Sequence, residues 1–537
     1  MIFAKNFAVR LLIPALTFCL FCPAGQAQYV SGRVTGQDGQ PIAGGSVISC
    51  HSRIAVEEST LTDHAGTYRL KIEFPGQVRI VATRIGYRLE QRDGVQVSEG
   101  SNVTLDFVLK AETDERSVIE QLPYSSFVNL LPDGWMKRDY ILQSWNYGFR
   151  AAVLQQVSAQ ELKDRFSLGL LQKTRLGMVQ ESYIRPGAAA EWAAQYIPRG
   201  QTLKKLRLPA QSTPDAAGVH ITEFLVPADS HDLYVAPDGI VWANQETGGL
   251  YRLNPKTGEG RLVPFPWSNR NVLAAKDGSH LWINTDQGKI AQFDPRTEKV
   301  GKVYDLAQQF GDFFPHTVKT DANGNLWVTD YKAEYPGRGV RIEVATGNVT
   351  LIRFPALELP FDRKASEGYG LAICPDGQVW TSLLAAGSFV EINRSTLEAR
   401  ARELPEIYGG PRRLDCGGDG AVWIPAYAAG VLFRFDPKTE EFRKFFLPTP
   451  DSGPYTVKVH PRTGQVWLVT SMANQVYRIN PQSGSVSVYQ LPNSLMANPL
   501  ARSRDIQFSG DREVWFTSKQ YRRTSQQPHM RLVRLRF

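Results

Sequence analysis

The chain reads as mainly β: an N-terminal β-sandwich, a small helical middle domain and a C-terminal seven-bladed β-propeller. Three observations carry that expectation. First, a phrase made of an Asp-Gly or Asn-Gly turn, an apolar residue and a tryptophan recurs along the second half, most fully as NGNLWVTD (323–330). Its seven tryptophans (Trp242, Trp282, Trp327, Trp380, Trp423, Trp467, Trp515) are spaced by 40, 45, 53, 43, 44 and 48 residues. Periods of ~40–50 residues with four short strands each are the mark of propeller blades. Second, residues 29–110 alternate apolar and polar over short runs broken by Gly-rich turns, the pattern of a small sandwich. Third, residues 111–218 change to helical signals. At 537 residues the chain exceeds what one core carries, so several domains are expected.

Residues 1–27 stand apart. Lys5 and Arg10 precede the apolar run LLIPALTFCLF (11–21), and small residues follow at Gly25-Gln26-Ala27. This is the pattern of a secretory signal peptide cleaved after Ala27, so the mature chain is expected to be exported, periplasmic or extracellular. Phe21 before Cys22 is too bulky for a lipoprotein cleavage site, and no apolar run is long enough to span a bilayer. Without the leader, Cys50, Cys374 and Cys416 remain. Three cysteines make neither a disulfide scaffold nor a CxxC metal motif. Cys374 and Cys416 fall in neighbouring repeats, and buried free thiols are expected there in preference to a bridge. The mature chain carries 59 basic and 53 acidic residues, a balance of +6 spread along its length. Nucleic-acid binding would need a clustered basic face, and none is visible.

The sandwich (28–111) runs from SGRVTGQDGQPIAGGSVISC (31–50) through TDHAGTYRLKI (62–72) and PGQVRIVATRIGYRL (75–89) to NVTLDFVLKA (102–111). Its "DGxPixGxxV" turn, "TDxxGxYrl" step and closing "vtldFvL" resemble the carboxypeptidase regulatory-like domain over its whole length. In that family the module is an accessory or adhesive sandwich, sometimes assigned a carbohydrate-binding-like fold, which implies a carbohydrate or protein partner. Thr62, Asp63 and His64 read as turn residues. In the middle domain (112–218), Ser158–Glu161 forms a capping box and AAAEWAAQYI (188–197) a helical run. LPDGWMKRDYILQSWNYGFR (131–150) resembles the opening of a monohaem cytochrome c domain, but Trp145, Gly148 and Phe149 stand where cysteines and histidine would be. Haem attachment is therefore not expected. A haemless relic and an unrelated helical spacer both fit these residues.

The propeller (219–537) repeats a third strand as LYRLNPKTG, IAQFDPRTE, LFRFDPKTE and VYRINPQSG, and an outer strand ending in proline as LVPFP, LIRFP, KFFLP and VYQLP. The last unit stops after its third strand, and HITEFLVP (220–227) has the form of the missing one. The ring should close by that strand completing the last blade.

Chemistry is expected where the inner strands begin. Seven positions before the turn residue stand His231, Arg270, His316, Tyr369, Arg412 and Arg504, with Tyr455 or Thr456 in the irregular sixth blade. One position further in come Asp232, Asn271, Thr317, Arg413 and Asp505. Such polarity at one mouth points to a small-molecule site in the channel, with Arg270, Asp232, Tyr369, Arg412 and Arg504 as ligand-binding candidates.

The propeller resembles virginiamycin B lyase, also called streptogramin lyase, over all seven blades. The carriers are "ITEFxxP" at Ile221–Pro227, the "DGxxW" turn and the "IxRixPxTG" third strand. The resemblance implies opening of a cyclic depsipeptide by elimination, with histidine as base and magnesium nearby. Matched residue by residue, it points to His231, to His316 within FPHTVKT, and to Glu246, four residues after Trp242, as catalytic candidates, with Glu246 as the metal ligand. Imidazole suits abstraction of a proton next to a carbonyl. Two departures stand out. One blade separates His231 from His316, and Gln245, Thr285, Leu383, Ala426 and Thr470 replace the family's recurring glutamate. Two functions follow as expectations: a C–O lyase acting on a cyclic ester or related molecule, or a non-catalytic envelope protein binding carbohydrate or peptide. A lactone hydrolase would need an acidic metal cage, for which only Asp232, Asp505 and Glu367 are available.

Overall fold

The computed structural model describes residues 27–51, 53–146, 188–196, 203–227, 229–332, 336–359, 363–364, 367–406, 408–492, 502–521 and 528–537. The leader and the Ser158–Glu161 capping box lie outside them. Among the described residues, six four-stranded antiparallel sheets follow one another from residue 233, and a seventh blade of four antiparallel strands, Arg502–Phe508, Glu513–Tyr521, Pro528–Arg536 and His220–Val226, is part of a larger sheet. The inner strands are Leu233–Val235, Asn269–Ala274, Pro315–Thr320, Gly368–Ile373, Asp415–Cys416, Pro454–Val459 and Arg502–Phe508. These define blades one to seven.

The repeated phrase explains each blade's inner hairpin. In NGNLWVTD, Gly324 takes φ 84°, a left-handed conformation that glycine adopts without a Cβ penalty. Asp321 caps the turn by accepting from the backbone N–H of Asn323 and Asn325 at 2.8 and 2.9 Å. Trp327 then packs against Phe354, Leu371 and Val379, between blades three and four. Burying such a ring at every blade junction contributes much of the ring's cohesion.

Closure follows the expected route. His220–Val226 pairs antiparallel with Pro528–Arg536 as the outer strand of blade seven. On its other edge the same strand pairs with Val56–Leu61 of the sandwich, Val56 opposite Phe224 and Ser59 opposite Ile221. Blade seven and one sandwich sheet thus form one eight-stranded sheet. The second sandwich sheet, built on Gln28–Gly36 and Thr67–Ile72, covers the first over a core that includes Val30, Leu70, Ile80 and Phe107. An edge strand left open on a propeller would be a template for aggregation, and the sandwich covers it.

The cysteine expectation is corrected. Cys374 and Cys416 form a disulfide with Cα atoms 5.1 Å apart, joining blades four and five. The two inner hairpins are brought side by side by the blade repeat, a proximity that sequence separation does not display. Cys50 remains a free thiol, and burial with Glu57 nearby pushes its pKa up to about 12.

The helical segment is more than a tether. Its described helices include Glu115–Glu120, Ser125–Val128, Trp135–Asn146 and Ala188–Tyr196. Leu122, Tyr124, Phe127, Leu131, Tyr140 and Leu142 share one core with Phe314, Tyr331, Tyr369, Tyr427 and Tyr455 of the propeller. Polar anchors fix the seat: Lys137 to Asp451 at 2.7 Å, Arg138 to Glu406 at 2.5 Å, and Ser125 N–H to the Met472 carbonyl at 2.9 Å. No helix among the described residues is long and apolar enough to cross a membrane.

Candidate functional site

Two devices aim the residues at the channel mouth. The first is a register irregularity in the inner strands, at Asn269/Asn271, Pro315/Val318, Gly368/Leu371, Pro454/Thr456 and Ser503/Ile506. Arg270, His316, Tyr369, Tyr455 and Arg504 lie within these irregularities, which release a side chain from the regular in-and-out alternation. The second is a staple two residues after the blade tryptophan. Asn244 Oδ1 accepts from the N–H of His231 and Asp232 at 2.7 and 2.6 Å, while its amide donates to the Asn269 carbonyl of blade two. Asn284 does the same for Asn271, and its Nδ2 donates to the carbonyls of Pro315 and His316 at 2.9 and 2.8 Å. Thr517 of blade seven donates to the His231 carbonyl at 2.9 Å. The inner strands of blades seven, one, two and three are therefore pinned to one another at the positions that carry the site.

The ring geometry removes the separation between the two histidine blades. His231 and His316 meet edge to face with centroids 5.9 Å apart. His231 Nδ1 lies 2.7 Å from Asp232 Oδ1, and Arg413 reaches across the channel from blade five to the same carboxylate at 2.6 Å. Arg413 Nη2, which can only donate, also stands 2.9 Å from the same Nδ1, so carboxylate and guanidinium ask opposite roles of that nitrogen and do not fix the His231 tautomer. Asn271 donates to the other Asp232 oxygen. His316 Nδ1 faces the Tyr369 carbonyl at 3.1 Å, an oxygen that also only accepts, and its ring lies over Tyr369 at 4.0 Å. The His316 ring thus keeps the Nε2 lone pair. Among the described residues nothing hydrogen-bonds either Nε2.

Electrostatics keep both rings neutral. Burial, then the charges of Arg413 and Arg504, push His231 down to about 3 in spite of Asp232. Burial, then Arg413 and His231, hold His316 well below its ordinary value. Burial works against the charge on Glu246, but Arg270 and Arg504 outweigh it and hold that carboxyl below its usual range.

The remaining candidates divide into two arcs. Residues four places after the blade tryptophans make the division plain: Glu246, Asp286 and Lys519 in blades one, two and seven, against Tyr331, Leu384 and Tyr427 in blades three to five. On the charged arc, Arg504 donates to Glu246 at 3.0 Å, Arg270 Nη1 stands 3.7 Å from it, and Arg270 Nε donates to Asp286 at 2.8 Å. These side chains stay partly open, 20% exposed for Glu246 and 23% for Arg270. On the aromatic arc, the Tyr369 and Tyr455 hydroxyls bond each other, and the fully buried Arg412 guanidinium lies 4.6 to 5.4 Å from the rings of Tyr369, Tyr427 and Tyr455. The helical segment covers this half, so Arg412 faces protein, not the channel opening. Arg413, Tyr331 and Tyr427 are the participants that the register seven positions upstream underweighted. The tryptophan-plus-four register would have found the two tyrosines.

Magnesium can be tested against these donors. Glu246, the expected ligand, lies between two guanidiniums, and a dication there would meet two positive charges around one carboxylate. Among the described residues no group of three or more His, Cys, Asp or Glu is arranged to hold a metal ion. The residues do not fit the ion, and no step is routed through it.

Fold and site together define a class: a seven-bladed propeller with a buried, neutral imidazole pair at its channel mouth, fused to a sandwich. Within that class, residues 263–527 match the virginiamycin B lyase family and residues 29–110 match the carboxypeptidase regulatory-like domain. The protein is a virginiamycin B lyase-like propeller preceded by that domain. Among solved structures, a selenomethionine-substituted virginiamycin B lyase from Staphylococcus aureus aligns at 19% identity with a TM-score of 0.48, covering 59% of this chain and 99% of that one. A streptogramin B lyase structure aligns at 21% identity and a TM-score of 0.47, covering 58% and 97%. No curated protein matches the chain.

Proposed function

We propose that the protein is an exported C–O lyase that opens an ester by elimination at the channel mouth, with His316 as base. The observation that supports this reading most is the His316 tautomer. Its Nδ1–H is committed to the Tyr369 carbonyl, which leaves Nε2 as a lone pair beside a second imidazole. In the proposed step Nε2 takes a proton from the alcohol-side carbon that is β to the ester oxygen and α to a neighbouring carbonyl. The C–H electron pair becomes a C=C bond, the C–O bond breaks, and the acid departs as a carboxylate, with no water consumed. The imidazolium that forms is disfavoured by burial, and the negative charge growing on the carbonyl oxygen offsets it. Arg270 and Arg413, whose fields both act on His316, favour that same charge. His231, held by Asp232, fixes the opposite wall, and Glu246 braces Arg270 and Arg504.

Export belongs to the same proposal, and the Cys374–Cys416 bridge supports it because disulfides persist in oxidising compartments. One observation favours the non-catalytic reading, an envelope protein that binds carbohydrate or peptide. His231 and His316 are only 4% and 5% exposed, with the helical segment seated on the adjoining aromatic half.

The test is incubation with a streptogramin B and a panel of simpler esters, followed by mass spectrometry. Elimination opens a cyclic ester at unchanged mass and adds an alkene absorbance, whereas hydrolysis adds one water. His316→Ala should abolish opening. No opening of any ester would favour the binding reading, and activity persisting in the His231→Ala, His316→Ala double variant would overturn the mechanism.

A further inference from the structure

A cleft of about 270 Å³ lies away from the channel, where the sandwich loop 84–87 meets the linker 208–212 and the outer strand of blade six. Pockets at domain seams are frequent ligand sites, and this volume suits a small molecule. The approach across the seam is close: a Cβ on Gly44 of the sandwich would stand 3.5 Å from Ser212 Cβ of the linker.

The cleft holds the guanidinium of Arg84. Arg84 Nη1 donates to the Ala43 carbonyl, and no carboxylate among the described residues is seen to pair with the guanidinium. Burial lowers its pKa below the ordinary arginine value, so the charge is held partly out of water. Four other buried arginines, Arg338, Arg413, Arg531 and Arg534, are each paired with a carboxylate, and Arg412 is enclosed by three tyrosine rings. A half-withdrawn cation with only a neutral carbonyl as partner is costly, and a bound anion would offset that cost with charge-assisted hydrogen bonds. Around it the wall is apolar. Leu208 and Pro209 line the cleft with Ile85, and Leu208 is 56% exposed, unusual for a large aliphatic side chain without a cover. Tyr87 adds a ring to the same wall.

We infer that this seam is a second ligand site, for a small amphiphilic anion. Its carboxylate, sulfonate or phosphate group pairs with Arg84, and its apolar body lies against Leu208 and Tyr87. Such a ligand touches sandwich and propeller at once and clamps them together.

The probe is 1-anilinonaphthalene-8-sulfonate, an apolar body with one anionic group, titrated by fluorescence into the full chain. Wild type should show one saturable site. Arg84→Met removes the anion's partner and should weaken binding about tenfold or more, the loss of a charge-assisted contact. Gln211 is exposed and makes no hydrogen bond among the described residues, so Gln211→Trp fills the cleft without disturbing Arg84. It should block the site. His316→Ala should bind as wild type, separating this site from the channel mouth. Wild-type affinity in either Arg84→Met or Gln211→Trp, or the absence of a saturable site in wild type, would overturn the proposal.

Discussion

Asp232 is the most informative single position in the channel, because three side chains converge on it. Arg413 Nη1 at 2.6 Å, His231 Nδ1 at 2.7 Å and the Asn271 amide all use its carboxylate, and the group is 1% exposed. Asp232→Asn keeps the shape and removes the charge, leaving the Arg413 guanidinium buried with Asp505, 3.8 Å away, as its remaining carboxylate. Breaking a buried pair costs ~3–5 kcal/mol, and the residual contact to Asp505 argues for the lower end, about 3 kcal/mol. Unfolding entropy of ~2.1 cal/mol/K per residue gives roughly 0.7 kcal/mol/K for a propeller of roughly 320 residues, so the expected fall in Tm is about 4–5 °C. Differential scanning calorimetry at pH 7 reads it directly. Adding Arg413→Met removes the stranded cation, and Asp505, whose carboxyl is already pushed up by burial and by Asp232, can take a proton. The double variant should therefore recover to within about 2 °C of wild type, because removing both members of a buried pair is often near neutral. An unchanged Tm in Asp232→Asn would refute the claim that the channel is held by this pair. So would a double variant that falls by the sum of the two single changes.

Two further expectations concern the scaffold. The Cys374–Cys416 bridge closes a loop of sequence separation 42, for which chain entropy gives about 4 kcal/mol. Reduction or Cys374→Ser should lower Tm by about 6 °C, and thiol labelling of the denatured, unreduced chain expressed without residues 1–27 should find Cys50 alone. Three reactive thiols would show the bridge to be absent. Glu58 governs acid stability at the seam between sandwich and propeller. Burial opposes its charge, but His220, 3.3 Å away, and a hydrogen bond with His51 hold its carboxyl at about 2, below the ordinary 4.5. A depressed carboxylate contributes stability that is complete above its unfolded value and is lost as pH falls from about 4.5 to about 2. By linkage the gap corresponds to at most ~3 kcal/mol. Melts recorded from pH 7 to pH 2 should fall less steeply for Glu58→Gln than for wild type, and parallel curves would refute the assignment.

Much of this protein is written locally. The blade number, the turn glycines, the tryptophans between blades and the closing strand His220–Val226 follow from short-range chemistry repeated at a fixed period. The inner-strand register also marks the candidate positions, since His231, Arg270, His316 and Arg504 all stand at one offset from the turn. What those residues do to one another is not local. His231 and His316 are 85 positions apart yet meet at 5.9 Å, because a closed ring turns sequence distance into angular distance around one axis. Arg413 reaches Asp232 across that axis, and no spacing rule announces such a chord. Glu246 looks like a metal ligand along the chain and becomes a bridge between two arginines only when blades seven, one and two are set side by side.

The fusion of sandwich to blade seven and the disulfide between blades four and five belong to the same class. The first is made by backbone groups of two strand edges, which leave no side-chain signature. The second depends on two cysteine Cα atoms coming within 5.1 Å, a distance set by the packing of neighbouring hairpins. Sequence by itself determined the repeated unit and therefore the architecture, because hydrogen bonding and side-chain alternation act over a few residues. Tertiary structure alone decided the pairing of charges, the capping of the aromatic arc and the neutrality of the imidazoles. Burial and Coulomb interaction depend on separation in space, and the ring closes that separation only once every blade is in place.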